Sequence, residues 1–581
     1  MKADEGAATS LSIVLAGSGG AGVITAGNML IEAAVAAGWY GMMSRSSGPQ
    51  IRGGEAASLI RLATRPVAAH PDCYDILIAL DWQNVERFAA EIPLGPDSLV
   101  VGDEAAGEVP AFIEDSGARS AALPFKKGAK AIEGGRPNMI ALGLVATLAG
   151  LPDEAIDEAL TKVLGAKRPE AVAASRAAVA VGAAAARELP AVKPLAAPAD
   201  EKGERWLISG NEAAGLGAIR GGVRFVAAYP ITPATEILEW MAPALTRVGG
   251  TLVQAEDELA SINMVIGASF GGTPALTATS GPGMALMTEP LGLAVAAEVP
   301  LVVVNVMRGG PSTGIPTKSE QSDLAAALHG LPGDAPHLVL APNSVADCLF
   351  TAQWAVHLAE ALQVPAIVLS DQSLGQARAA MAQPADLAFF AQRQKLPVGG
   401  IEAEAYERYE LTASGVSAMA IPGTPGGQYT ADGLEHNSRG TPSSQNSDHS
   451  AQLNKRRYKL DAHDYGNHWA EVEGSGEVAI ITWGSCTGPA REALALAAAE
   501  GLEARLVSIR LLAPARPEPL AAALEGTDRA LIVEQTHSGQ FRQYLKANYA
   551  LPPRLDHFCH PGPLPVRPGQ IHQALRELSR S

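Results

Sequence analysis

The residues best able to do chemistry cluster where a short apolar run, 252–255, gives way to three acids, Glu256, Asp257 and Glu258, and then to a small-residue helical face reaching Gly267. Acids at a helix start are favoured by the helix dipole, which accounts for all three without any chemistry. Proton work would need only one of them. In an apolar pocket a carboxyl keeps its proton toward neutral pH, because desolvation penalises the charged form. Upstream, Tyr229-Pro230-Ile231-Thr232-Pro233 ends another apolar run with a proline-fixed turn. Thr232 then stands at the carboxyl end of a strand, where open α/β sheets place their ligands. It also suits a helix N-cap, with Pro233 at the first helical position. Downstream, Arg308 follows the apolar run 301–307. Its guanidinium can grip a carboxylate through two parallel bonds or serve a structural ion pair.

Thiamine diphosphate is a cofactor that asks for a carboxyl of this kind. A carboxyl bonded to N1′ of its aminopyrimidine stabilises the imino tautomer that takes a proton from the thiazolium. Thiamine enzymes generally set that glutamate at a strand end, with a small-residue helix following and a glycine nine positions on. Glu258 and Gly267 have this spacing, whereas Glu256 does not.

A second cluster opens the chain. After the apolar run 11–16 comes Gly17-Ser18-Gly19-Gly20-Ala21-Gly22 and then a helical pattern, so amides at a helix N-terminus could cradle a phosphate. The alternative is that these glycines merely permit a tight turn. A nucleotide fold also wants an acid at the end of the next strand, but residues 39–46 end with Ser44, Arg45 and Ser46, which disfavours an ordinary NAD site. Ser46-Ser47-Gly48-Pro49-Gln50-Ile51-Arg52-Gly53-Gly54 sets a flexible loop beside a cation, suited to a phosphorylated ligand such as coenzyme A or to a polar surface turn.

These residues must be positioned by an α/β scaffold. Strand-like runs at 11–16, 58–62, 76–80 and 98–101 alternate with small-residue helices in a first domain, 1–190. Prolines and charges mark 191–204 as an exposed linker. A second domain, 205–382, has strands predicted at 225–229, 252–255, 275–279, 301–306, 338–341 and 366–370. Periodicity fails over 383–474, read as an irregular connector that wraps its neighbours through Tyr406, Tyr409, Leu411, Ile421, Tyr429 and Leu434. The third domain, 475–581, repeats the α/β rhythm with strands at 478–482, 504–509 and 530–534.

Composition removes several function classes. The net charge of −17 over 581 residues comes without a long acidic run, so binding to nucleic acid or to an anionic membrane is disfavoured. The most apolar stretch, 290–307, is interrupted by Glu298 and Pro300, reading as helix, turn and strand rather than a membrane span. The first ten residues lack a signal pattern, and a cytoplasmic location is expected. Cys73, Cys348, Cys486 and Cys559 are too scattered for a disulfide framework, a metal site or an iron–sulfur cluster, so no metal is expected on this chain.

Taken in order, Tyr229-Pro-Ile-Thr-Pro233, Gln254-Ala-Glu-Asp-Glu-Leu259, Thr279-Ser-Gly-Pro-Gly-Met284, Arg308-Gly-Gly-Pro-Ser-Thr-Gly-Ile-Pro-Thr-Lys318 and Ser370-Asp-Gln372 resemble the alpha subunits of 2-oxoacid:ferredoxin oxidoreductases. Gly17 to Gly22, Ser47 to Gly54 and Pro137-Asn-Met-Ile-Ala-Leu-Gly143 resemble the gamma subunit of the same family. Gamma followed by alpha on one chain is typical of its 2-oxoglutarate members. Ile421-Pro-Gly-Thr-Pro-Gly426, Gly433-Leu-Glu-His436, Val533-Glu-Gln535 and Ser538-Gly-Gln540 carry the likeness to the C-terminal part.

The resemblance implies three α/β domains: a gamma-type domain, a pyrimidine-binding thiamine diphosphate domain and a transketolase C-terminal-like domain. It implies Glu258 as activator of the thiamine pyrimidine, with Pro230, Ile231 and Gly281 beside the cofactor, and Thr232, Arg308 and Thr317 as 2-oxoacid contacts. Thr317 could equally be packing its loop. Gly17, Gly19, Gly20, Gly22 and Arg52 become the coenzyme A loop. The family's Gly-Asp-Gly motif for diphosphate and Mg²⁺ is missing from this sequence. A separate beta subunit carrying that site and an iron–sulfur cluster is therefore implied, in an (αβ)2 assembly that reduces ferredoxin. The implied reaction converts 2-oxoglutarate and coenzyme A to succinyl-CoA and CO₂, reversibly, so that it could also fix CO₂. Rivals are a pyruvate, branched-chain or aryl-pyruvate enzyme and, from another class, a catalytically dead nucleotide-binding or scaffold protein.

Overall fold

Runs of Val, Ile, Leu and Ala bounded by Gly, Pro or Asp make the strands, because branched and small apolar side chains fill a pleated surface and the bounding residues stop it. The computed structural model describes residues 7–48, 54–83, 85–165, 169–198, 204–397, 399–402 and 406–580. Its first strands are β1 (Ser10–Ser18), β2 (Tyr40–Ser47), β3 (Glu55–Ala63), β4 (Ile76–Ala79), β5 (Leu99–Gly102), β6 (Arg119–Ala122) and β7 (Arg205–Ser209). There follow β8 (Phe225–Ala228), β9 (Thr251–Gln254), β10 (Ala275–Thr279), β11 (Leu301–Met307), β12 (Leu338–Leu340), β13 (Pro365–Asp371) and β14 (Arg378–Ala382). The last are β15 (Ala470–Gly474), β16 (Val478–Trp483), β17 (Ala504–Ile509), β18 (Leu511–Ala513), β19 (Arg529–Glu534) and β20 (Arg554–Cys559).

Two units emerge, 1–209 with 376–385 and 564–569, and 210–375 with 386–563 and 570–581. In the first, the strands run in the order β6-β5-β4-β1-β3-β2-β14-β7. β1, β4, β5 and β6 are parallel, while β3, β2, β14 and β7 pair antiparallel. β7 and β14 thus complete this sheet although they lie at the two ends of the stretch read as the second domain. The linker is pinned rather than fully exposed at 194–196: Ala196 N–H donates to Ala8 at 2.8 Å, and the Trp39 indole donates to the Ala196 carbonyl at 2.7 Å.

In the second unit a largely parallel sheet, β18-β12-β13-β11-β10-β8-β9, shares one apolar core with a smaller sheet, β15-β17-β16-β19-β20. Residues 290–307 form the end of the helix Thr288–Ala296, a turn and β11. Among the described residues no helix is long and apolar enough to cross a membrane.

The connector departs most from its sequence reading. A helix, Asn446–Asp461, runs through it, and the face it buries carries Gln452, Lys455, Arg456 and Lys459. Glu298, fully buried, accepts from Lys455 at 2.5 Å and Lys459 at 3.0 Å. An inward face made of cations shows no hydrophobic period, which is why the helix was invisible to a pattern that assumes apolar burial. Of the proposed anchors, Tyr406 and Tyr409 are buried, whereas Leu411 and Leu434 are exposed.

Candidate active site

The neighbouring strands β11, β10, β8 and β9 end side by side, and their loops bring the predicted residues together. β9 leads into the helix Glu258–Phe270, whose N-cap is Asp257, accepting the Ala260 N–H at 2.7 Å. Glu256 and Asp257 are exposed while Glu258 is 7% exposed. The three acids are thereby sorted: one caps the helix, one faces water, and one points inward.

β10 ends in Ser280-Gly281-Pro282-Gly283, the start of a short helix, Gly281–Leu286. Gly283 seats the Glu258 side chain: a Cβ there would lie 2.6 Å from Glu258 Oε1 and would overlap the Thr279 hydroxyl. Gly281 makes the same kind of seat for Asp323, whose carboxyl oxygens would lie 2.9 and 3.0 Å from a Cβ. Two carboxyls therefore pack on glycines two residues apart.

β11 ends at buried Arg308, which donates from Nη1 to the Thr232 carbonyl at 2.6 Å, while its Nε has no hydrogen-bond partner among the described residues. It makes no ion pair among the described residues, so the structural-pair alternative finds no support there. Burial lowers its hold on its proton, and the Asp323 charge opposes this. Thr232 is half-buried in the turn after β8, but the N-cap of the helix Thr235–Arg247 is Ala234, with no side-chain cap bond. Pro233 likewise precedes the helix; its carbonyl accepts from Asn211 at 2.9 Å. The turn is held from outside the helix and has no need of a hydroxyl cap. Pro230 and Ile231 are half-buried beside Thr232.

The loop after Arg308 folds back on itself, with Gly309 N–H donating to Lys318 at 2.9 Å and Ile315 N–H to Gly309 at 2.7 Å. Its tip, 310–315, is exposed, while Thr317 on the returning limb is buried. Farther on stands Asp323, which sequence reasoning missed because an Asp before a helix looks like an ordinary N-cap. Its carboxyl instead accepts from Asn305 at 2.9 Å. Burial raises its pKa, against the Asn305 bond and the Arg308 charge and helped by Glu320. Ser280 Oγ and Asn305 Oδ1 are buried without partners among the described residues. The arrangement can hold a proton at a shielded carboxyl and grip an anion with a desolvated guanidinium.

In the first unit the glycine loop follows β1 as expected, and Gly22 is the left-handed N-cap of the helix Val23–Ala36. Part of the loop is already engaged in hydrogen bonds. Ser18 donates through N–H and hydroxyl to Asp81 at 2.9 and 2.8 Å, Ala21 N–H donates to Ser18 at 3.0 Å, and Gly19 N–H is taken by Gly54. The positive φ of Gly20 and Gly22, 96° and 82°, fits the turn-permitting alternative. Gly17, the last residue but one of β1, packs against Asp81, whose carboxyl a Cβ there would meet at 3.4 Å. A cleft of about 1790 Å³ lies here, lined by Gly19, Gly20, Gly22, Asp81, Lys126, Arg136 and Asn138. Arg52 lies outside the described residues. Among those residues no group of three or more His, Cys, Asp or Glu could hold a metal ion.

Three family descriptions match successive parts of the chain: pyruvate ferredoxin/flavodoxin oxidoreductase over 12–185, pyruvate flavodoxin/ferredoxin oxidoreductase, thiamine diphosphate-binding, over 216–455, and transketolase, C-terminal domain, over 468–541. The 2-oxoglutarate oxidoreductase subunit KorA of Mycobacterium tuberculosis is 32% identical over 85% of this chain and 80% of its own length. The alpha subunit of 2-oxoacid:ferredoxin oxidoreductase 2 of Aeropyrum pernix is 29% identical over 94% of both chains. Among solved structures, 2-oxoglutarate:ferredoxin oxidoreductase from Magnetococcus marinus, with 2-oxoglutarate, coenzyme A and succinyl-CoA bound, aligns with TM-score 0.89 and 36% identity over 98% of this chain and 99% of that one.

Proposed function

The chain belongs to the 2-oxoacid:ferredoxin oxidoreductase family, and from that premise we propose that it is the large subunit of an enzyme converting 2-oxoglutarate, coenzyme A and oxidised ferredoxin to succinyl-CoA, CO₂ and reduced ferredoxin. The observation that carries this reading is the sorting of the three acids, with Glu258 alone turned inward onto the Gly283 seat.

The residues present fit thiamine diphosphate. A buried carboxyl and a glycine cradle that a Cβ would fill lie beside the orphaned Ser280 hydroxyl, and a buried polar atom without a partner costs about 1–3 kcal/mol unless a ligand supplies one. Glu258 would hold a proton at the pyrimidine N1′, with Pro230, Ile231 and Gly281 lining that ring. When bound, the cofactor supplies the nucleophilic carbon and the electron sink for decarboxylation. Arg308 orients the 2-oxoacid carboxylate through its unmatched Nε, and the Thr232 and Thr317 hydroxyls flank it. Since tight binding of the departing carboxylate stabilises the ground state too, Arg308 positions substrate more than it speeds loss of CO₂.

The sequence has no Gly-Asp-Gly motif and no grouped cysteines, so a beta subunit supplies the diphosphate and Mg²⁺ site and the iron–sulfur cluster, in an (αβ)2 complex of the cytoplasm. Coenzyme A binds in the first unit's cleft, which Lys126 and Arg136 line together with the glycine loop. Glu258→Gln tests the reading. It should abolish 2-oxoacid-dependent ferredoxin reduction while the partner still co-purifies, and undiminished turnover would refute it.

A further inference from the structure

Aspartate is among the best helix N-caps, because its short side chain folds back onto the amide two or three residues ahead. Asp323 precedes the helix Leu324–His329 and makes no such bond. The amide it would serve, Ala325 N–H, donates instead to Gln540 Oε1 at 2.8 Å, and Gln540 Nε2 donates to the Ser322 carbonyl at 2.8 Å. One side-chain amide from the C-terminal region spans the helix start on both sides. The Asp323 carboxyl is left to face Asn305 and the Gly281 seat.

Gln540 is itself firmly placed. It opens the helix Gln540–Asn548, whose first amides, Phe541 and Arg542, both donate to the buried Glu534 carboxylate at 2.9 Å. A few residues away, Gln321 is stitched to the same region: its N–H donates to the Gln535 carbonyl at 2.9 Å, its Oε1 accepts the Gln535 N–H at 2.8 Å, and its Nε2 donates to the Trp483 carbonyl at 2.9 Å. The segment returning from Arg308 is thus sewn to the ends of β16 and β19 just before it reaches Asp323.

We propose that Gln540 is a positioning residue for 2-oxoacid recognition: by capping the helix Leu324–His329 in place of Asp323, it keeps the Asp323 carboxyl turned toward Asn305 and the Arg308 side of the pocket. This rests on the role proposed for Arg308. It gives the C-terminal α/β part a task in substrate binding without touching substrate. Without Gln540, the exposed Ala325 amide is open to water and to Asp323, which stands at the N-cap from which an Asp side chain reaches that amide.

In the co-purified complex, Gln540→Ala should raise the 2-oxoacid KM roughly fivefold or more with kcat changed less than about twofold, a split that general loosening would not give. The effect should vanish in an Asp323→Ala background, since the two residues act as one unit. Gln540→Glu keeps the acceptor for Ala325 and should bring KM most of the way back. An unchanged KM in Gln540→Ala, equal increases with and without Asp323, or a Glu variant as impaired as the Ala variant overturns the proposal. Hydrogen exchange at the Ala325 amide, little altered in Gln540→Ala because Asp323 takes over and faster in the double variant, reads the same coupling without turnover. Its failure is therefore distinguishable from failure of the Arg308 assignment.

Discussion

The Glu258 carboxylate rests on Gly283, with no room between Oε1 and that glycine for so much as a methyl group, since a Cβ would stand 2.6 Å away. Glycine at 283 is therefore part of how the carboxyl is aimed. Gly283→Ala should push Glu258 off its seat at a cost of about 1–3 kcal/mol, the usual range for overpacking a tight site. Turnover should fall by roughly tenfold or more while the far-ultraviolet circular dichroism stays native.

Arg308→Lys keeps the charge but removes the planar fork and the bond to the Thr232 carbonyl. A lost charge-assisted bond is worth about 1.5–3 kcal/mol, so KM for 2-oxoglutarate should rise about tenfold to a hundredfold, with a smaller change in kcat. Steady-state kinetics with the reconstituted complex decides it, and equal KM values would remove Arg308 from the substrate site.

The buried Glu298 holds together two lysines and, through its carbonyl, Arg408. Burial alone would push Glu298 up, but Lys459, Lys455 and Arg408 hold it well below the ordinary carboxylate range. Its contribution is thus present above the unfolded value and lost as pH falls toward the folded one. Glu298→Gln leaves Lys455 and Arg408 without their buried counter-charge and should destabilise by about 3–5 kcal/mol, seen as a lowered denaturation midpoint.

Lys459 carries the opposite pH signature. Burial pushes it down to about 7, against the pull of Glu298. Between that value and the unfolded one near ~10.4 the unfolded chain binds a proton that the folded chain has shed, so stability rises with pH across the window. Between pH 7 and 9 the thermal midpoint of the wild type should rise relative to that of Lys459→Met; parallel profiles would exclude it.

What the sequence made legible follows from locality. Strands such as β10 and β17 are bounded by their own neighbours in sequence, and their predicted limits coincide with the folded ones. Glu258, singled out of three acids by its local spacing of nine to Gly267, is the one of the three that is buried. Asp323 could not, since its departure from capping depends on Gln540, more than two hundred residues away. The helix Asn446–Asp461 was hidden for a related reason: its inward residues are paired cations whose partner, Glu298, lies far upstream. Nor could the inner bonds of the glycine loop be read, because no sequence pattern reports that Asp81 occupies the Ser18 amide.

β14 and β7 reach the first sheet from opposite ends of an intervening stretch of chain, and β14 covers the outer side of β2. Truncation after residue 198 would consequently yield a fragment whose Tyr40–Ser47 ladder is bare, a sticky border of the kind that recruits other chains. The first unit is a continuous object in space but not a detachable cassette, and trimming it for separate expression calls for a replacement border strand.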